Sequence, residues 1–183
     1  MAHIDLPEGL PGITGPLTSY PETAKHLRGL AEALLRGPSS LTAAERELIA
    51  TYVSAQNECF FCMNSHAAIA RSLFGENRDL VDQAIADFQR ADLSDKMKAL
   101  LVIAGKVQQG GRSVTDGDVA TARAAGADDK AIHDTVLIAA AFCMFNRYVD
   151  GLATWAPEEA AEYEQAGALR AEKGYLYVAG SDK

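Results

Sequence analysis

Long apolar stretches are missing from this sequence. A membrane-spanning helix needs about 18 such residues in a row, and the longest run, Val136 to Phe145, falls well short. Basic residues are in the minority: 17 Lys and Arg stand against 25 Asp and Glu in 183 residues, a net charge of −8. Nucleic acids and anionic membranes are both bound through clustered cations, so neither is expected as a partner. The opening residues, MAHIDLPEGLPGITGPL, carry no basic region and no apolar run of signal-peptide length. A cytoplasmic location is therefore expected. Cysteine is scarce, three in all. So few thiols in a reducing compartment do not make a disulfide scaffold; a close pair there points to redox chemistry or a metal. Period-two alternation, internal repeats and domain linkers are absent as well.

What is present is a helical pattern. With 48% hydrophobic and 23% charged residues, the chain can bury the core of one domain, expected to span 1–183. Residues 1–18, rich in Gly and Pro, are expected to form an extended arm over the body or a neighbouring subunit. Residues 174–183 are expected to form a tail that packs through Tyr175, Leu176 and Tyr177. Between them the pattern predicts an all-α bundle of seven to eight helices. The first starts at Pro21 and stops at Gly37-Pro38. The second opens on a capping box, Thr42 with Glu45, and ends near Asn57. The third runs over about 59–73 and closes at Gly75. Others are predicted over 79–89, after Ser94 to Gly110, after Thr115 to Gly126, and from a cap at Asp128 or Asp129 to Leu152. The last of these is apolar on most sides between Val136 and Phe145, so it is expected to be the most buried. A final helix is predicted to open at Pro157, with Glu158 and Glu159 in its first turn.

The chemistry concentrates in ERELIATYVSAQNECFFCMNSH. Eleven residues separate Glu47 from Cys59, two separate Cys59 from Cys62, and three separate Cys62 from His66. At 100° per residue the two thiols and His66 fall within about 60° of each other on one helix face. Cys59 stands at the helix start, where free N–H groups and the dipole favour thiolate. A tight turn near Asn57-Glu58 would fold Glu47 back toward His66. A carboxylate that orients an imidazole beside a thiol is a general base arrangement. Other readings compete. A c-type haem needs His directly after the second Cys, where Met63 stands. Zinc could take Cys59, Cys62, His66 and Glu47, but a second ligand knuckle is absent, and no metal or cofactor is expected. A thioredoxin-like site needs strands. The plainest alternative is a pair of buried packing thiols.

The spacing E-x11-C-x2-C-x3-H resembles the signature of the AhpD-like alkylhydroperoxidase family, within the carboxymuconolactone decarboxylase superfamily. The resemblance covers about 21–152, including AGADDKAIHDTVLIAAAFCMFNRYVDGLA, and is nearest to the peroxidase-related subgroup. It implies an all-helical AhpD-like bundle that assembles as a homo-oligomer (dimer, trimer or hexamer). It also implies that Cys62 attacks an organic hydroperoxide, that Cys59 resolves the sulfenic acid as a disulfide, and that His66 and Glu47 relay protons. A dithiol reductant, in relatives a protein-bound lipoyl group, would restore the pair. The sequence departs from the pattern at Phe61, where the enzyme that gives the family its name has a further His. The helix dipole would instead favour Cys59 as the more acidic thiol. Two alternatives to a peroxidase stand beside it: a dithiol–disulfide oxidoreductase or redox sensor without efficient peroxide turnover, and a non-catalytic helical oligomerisation module.

The remaining polar and aromatic residues have plainer readings. Cys143 is expected in the core, Arg147 and Asp150 as a helix ion pair, and Asn146 as a satisfied structural amide. His3, His26 and His133 are expected at the surface, and Trp155 at a helix junction or subunit contact. Phe60, Phe61 and Met63 are expected as an apolar rim around the thiols.

Overall fold

The computed structural model describes residues 2–178. Among them are nine α-helices and no strands: α1 (Thr14–Ser19), α2 (Pro21–Arg36), α3 (Ala43–Gln56), α4 (Phe60–Phe74), α5 (Asp79–Asp87), α6 (Asp95–Gln109), α7 (Asp116–Ala124), α8 (Asp129–Gly151) and α9 (Ala160–Lys173). No helix among the described residues is long and apolar enough to cross a membrane.

The predicted caps define the helix starts. Thr42 accepts from the Glu45 N–H while Glu45 accepts from the Thr42 N–H at 2.8 Å, closing the capping box that opens α3. Ser94, Thr115 and Asp128 likewise accept the third N–H of α6, α7 and α8. These side chains satisfy N–H groups that a helix cannot satisfy internally.

Helix α3 lies at the centre, packed by α4, α6 and α8, with α9 laid along the far side of α4. Ten residues of α3 are buried, Ala44 and the unbroken run from Arg46 to Ser54, including Arg46, Glu47, Thr51 and Ser54. This corrects the expectation for α8, which buries Ile138, Phe142 and Phe145 but exposes Val136, Leu137 and Met144. The polar residues of α3 disguised its burial; each finds an internal partner. Arg46, for example, donates to the carbonyls of Leu34 and Gly37, both at 2.9 Å, and ties the end of α2 to α3.

Both flanks differ from the simple expectation. The arm is not extended throughout: α1 forms within it after a turn at Gly12, whose φ of +53° suits glycine. The arm is fastened to the body where Gly12 N–H donates to the Trp155 carbonyl at 2.8 Å and His3 N–H to that of Leu152 at 2.9 Å. Helix α9 begins at Ala160 rather than Pro157. The Tyr163 hydroxyl donates to the Pro157 carbonyl at 2.9 Å, which holds that segment outside the helix. In the tail, Tyr175 packs inward whereas Leu176 is 61% exposed. The rest of the tail beyond 178 lies outside the described residues.

Candidate active site

The turn between α3 and α4 builds the site. Helix α3 ends in a Schellman motif: Glu58 N–H donates to the Ala55 carbonyl and Cys59 N–H to that of Ser54, each at 3.0 Å. The motif needs a left-handed residue, and Glu58 takes that role at φ 57° without the freedom of glycine. The residue that finishes α3 is also the N-cap of α4, and it is Cys59. Cys62 follows in the first turn of α4, and His66 one turn later.

Both thiols are buried, Cys59 fully and Cys62 to within 4%. With Val149 they form a small apolar cluster apart from the main core, flanked by Ile13 and Phe61. Cys59 is hydrogen-bonded to Cys62, and that bond, together with burial and the Cys62 charge, pushes its thiol well above the ordinary range; the Asp150 carboxylate acts in the same direction. Burial and the neighbouring thiol thus oppose the helix dipole at Cys59. Asp150 does not pair with Arg147, which donates instead to the Cys143 carbonyl at 2.8 Å.

Glu47 is wholly buried and faces His66, with Oε2 2.7 Å from Nδ1. Its other oxygen, Oε1, accepts from the Tyr175 hydroxyl at 2.6 Å and stands 2.8 Å from Nη2 of Arg36. That second contact is an ion pair off the line of a hydrogen bond, since neither Nη2 nor Nε of Arg36 has a hydrogen-bond partner among the described residues. The Tyr175 ring stacks on His66 at 6.0 Å between centroids, and its hydroxyl is 3.2 Å from Nδ1. Burial, then the Glu47 charge, raises the Tyr175 phenol well above its usual value, so it stays a donor. The edge of Phe142 packs against His66 from the core side, 4.6 Å between ring centroids. The imidazole is thus held on three sides with Nδ1 occupied.

A recess of about 70 Å³ is lined by Cys62, His66, Phe61 and Phe142 among others, next to a larger cavity of about 220 Å³ that reaches Ile69, Tyr163 and Gly167. Phe61 walls both, as expected of the apolar rim. Phe60 is 52% exposed and does not line them. The Phe61 ring lies against Gly12, where a Cβ would fall 2.1 Å from it.

All four residues singled out in the sequence therefore lie at one place: Cys59 and Cys62 as neighbours, and Glu47 paired to His66. Tyr175 and Arg36 were not foreseen as part of it. Tyr175 comes from the tail, 128 positions from Glu47, and no spacing rule joins them. Asn146 is structural, accepting from Asn57 at 2.8 Å and donating to Ser54 at 3.0 Å. Cys143 is half-buried at the edge of the core, 3.6 Å from the same Asn57 amide. His3, His26 and His133 are exposed, His133 beside Asp134 at 3.0 Å. No group of three or more His, Cys, Asp and Glu among the described residues is placed to hold a metal ion.

The sequence profile of the carboxymuconolactone decarboxylase family matches residues 21–87, which span α2 to α5 and contain the whole motif. No curated protein matches the chain. Among solved structures, the chain is similar to an uncharacterised peroxidase-related protein with an alkylhydroperoxidase AhpD core from Ralstonia eutropha JMP134, at 26% identity and a TM-score of 0.76 over 86% of this chain and 81% of that one. An uncharacterised peroxidase-related protein from Silicibacter sp. TM1040 is similar at 27% identity and a TM-score of 0.76, over 89% and 94% of the two chains. The fold is also that of a protein of unknown function from Agrobacterium tumefaciens, described as a candidate AhpD antioxidant defence protein. That likeness has 22% identity and a TM-score of 0.63 over 79% and 97%.

Proposed function

As the chain is an AhpD-like member of the carboxymuconolactone decarboxylase superfamily, we propose that it is a thiol-dependent peroxidase that reduces organic hydroperoxides through Cys59 and Cys62. The observation that carries this reading is the Glu47–His66 pair, 2.7 Å apart, on the recess that Cys62 lines. Cys62, as thiolate, attacks the distal peroxide oxygen; the O–O bond breaks, an alcohol leaves after taking a proton, and Cys62 becomes a sulfenic acid. Cys59 then attacks the Cys62 sulfur, water leaves, and a disulfide closes. A dithiol reductant, such as a protein-bound lipoyl group, exchanges with the disulfide and restores both thiols while it is itself oxidised. His66, with Nδ1 anchored on Glu47, has Nε2 to carry protons between the thiol and the leaving oxygen. The raised Cys59 keeps its proton in the resting state, which suits a resolving rather than an attacking thiol.

Intact mass spectrometry after one equivalent of cumene hydroperoxide tests the assignment. Wild type is expected to lose two hydrogens as the disulfide forms, and Cys59→Ser to gain one oxygen, mapped to Cys62. An unmodified Cys62 in that variant removes the proposal. Phe61 favours a second reading, dithiol–disulfide exchange with slow peroxide turnover, because it offers no proton at the position between the thiols. That reading predicts rapid exchange with dithiols but peroxide oxidation no faster than that of a free cysteine.

The same reading includes a homo-oligomer, and the exposed Val136, Leu137 and Met144 on α8 support it. Light scattering on wild type and Leu137→Lys is the check; an integer multiple of the chain mass that falls in the variant is expected.

A further inference from the structure

Arg28 lines both the recess and the larger cavity from α2, partly exposed, and it makes no hydrogen bond or ion pair among the described residues. The other guanidiniums nearby are engaged. Arg170 Nη1 donates to the carbonyls of Gly174 and Tyr177 at 2.8 and 2.9 Å. Arg36 pairs with Glu47, and both Arg36 and Arg170 lie over the Tyr175 ring. Two neighbouring carboxylates stay out of the lining: Glu47 faces His66, Tyr175 and Arg36, and Glu32 accepts from the Tyr175 N–H at 2.6 Å. Burial lowers the Arg170 pKa; Tyr175 and Glu32 act to raise it and the charges of Arg28 and Arg36 to lower it, so Arg28 and Arg170 feel each other across the cavity. Two guanidiniums, Arg28 and Arg170, thus line the larger cavity with no carboxylate among its lining residues, on a chain whose net charge is −8. Away from these groups the walls are apolar, with Leu17, Phe61 and Ile69 prominent.

We propose that the cavity selects organic hydroperoxides that carry a carboxylate: the acid pairs with Arg28 at the mouth, the chain lies along Leu17, Phe61 and Ile69, and the peroxide reaches the recess with Cys62 and His66. The proposal rests on the peroxidase reading above and adds the class of substrate. A guanidinium presents a planar fork that matches a carboxylate, and an unpaired one beside an apolar wall suits a ligand acidic at one end only. At about 30 Å³ per water-sized group, the two spaces hold about ten non-hydrogen atoms, so a short- to medium-chain hydroperoxy acid fits better than a long fatty acid.

Single-turnover oxidation of the reduced protein by 6-hydroperoxyhexanoic acid, by its methyl ester and by cumene hydroperoxide tests this, in wild type, Arg28→Gln and Arg28→Lys. The acid is expected to react at least about tenfold faster than its ester in wild type. That ratio should fall toward one in Arg28→Gln and be partly kept in Arg28→Lys. A ratio near one in wild type, or one unchanged in a folded Arg28→Gln, overturns the proposal. If cumene hydroperoxide still oxidises the dithiol in that case, the peroxidase reading survives alone; if no hydroperoxide outpaces a free cysteine, both fall. Re-reduction by dihydrolipoic acid and by dihydrolipoamide separates the other source of an acid. A carboxylate preference confined to this half-reaction assigns Arg28 to the reductant and overturns the proposal.

Discussion

At the scale of residues, the buried Glu47 carboxylate governs the site. It has no exposed surface, yet it faces His66, Tyr175 and Arg36 at once. Removing Arg36 leaves that charge without a counter-ion, and breaking such a buried pair costs about 3–5 kcal/mol. Arg36→Met is therefore expected to lower the urea midpoint sharply, and Arg36→Met with Glu47→Gln to recover much of the loss. If the double variant is no more stable than the single one, the pair is not what Arg36 supplies. His66→Ala is expected to slow Cys62 oxidation by about 10²–10⁴-fold, the usual range for a proton-transfer group. Tyr175→Phe should produce a smaller loss, because it deletes one hydrogen bond on Glu47 and leaves the imidazole stacked. Stopped-flow oxidation rates compare the two; equal losses would make Tyr175 a proton carrier in its own right.

At the scale of elements, the helix ends were legible and their surroundings were not. Thr42, Ser94, Thr115 and Asp128 announced their helices because a cap is a local interaction, three residues long. Thr42→Ala is expected to cost about 1 kcal/mol and to leave the urea m-value unchanged, since it loosens one end of α3 without altering the area buried. The start of α9 was not legible, because a hydroxyl from Tyr163 restrains Pro157 from six residues away. The burial of α3 was not legible either: Arg46, Glu47, Thr51 and Ser54 read as a polar face until their tertiary partners are known. The motif itself was legible since Cys59, Cys62 and His66 share one helix and Glu47 the preceding one. Tyr175 was not, because only the closing of the whole chain carries it there. Where α9 meets α4, Gly167 sits so close that a Cβ would fall 2.7 Å from Ala68 Cβ and 2.8 Å from its carbonyl carbon. Gly167→Ala is thus expected to destabilise by about 1–3 kcal/mol through overpacking, measurable in the same urea titration.

At the scale of the whole molecule, the dithiol couples stability to pH. Cys59 is held above its ordinary value by Cys62 and by burial, whereas in the unfolded chain it ionises near 8.5. Above about that pH the unfolded chain has given up a proton that the folded chain keeps, so stability is full below it and falls as pH rises. Tyr175, also raised, acts in the same sense at still higher pH, above about 10. The reduced protein is expected to lose Tm between about pH 8 and 10, and the disulfide form, with no Cys59 proton to hold, to lose less over that range. Thermal melts of both forms and of Cys59→Ser decide it; an equal decline in all three would remove Cys59 as the cause.

The contact between Gly12 and the Phe61 ring has a practical consequence for whoever purifies this protein. A residue of the arm, fastened to Trp155, fixes the side chain that stands between the two cysteines. The opposite flank of the chain reaches the same place through Tyr175. An affinity tag placed beside either flank therefore bears on the candidate site and is not a neutral handle, and activities from tagged and cleaved preparations should be compared before any rate is ascribed to the thiols.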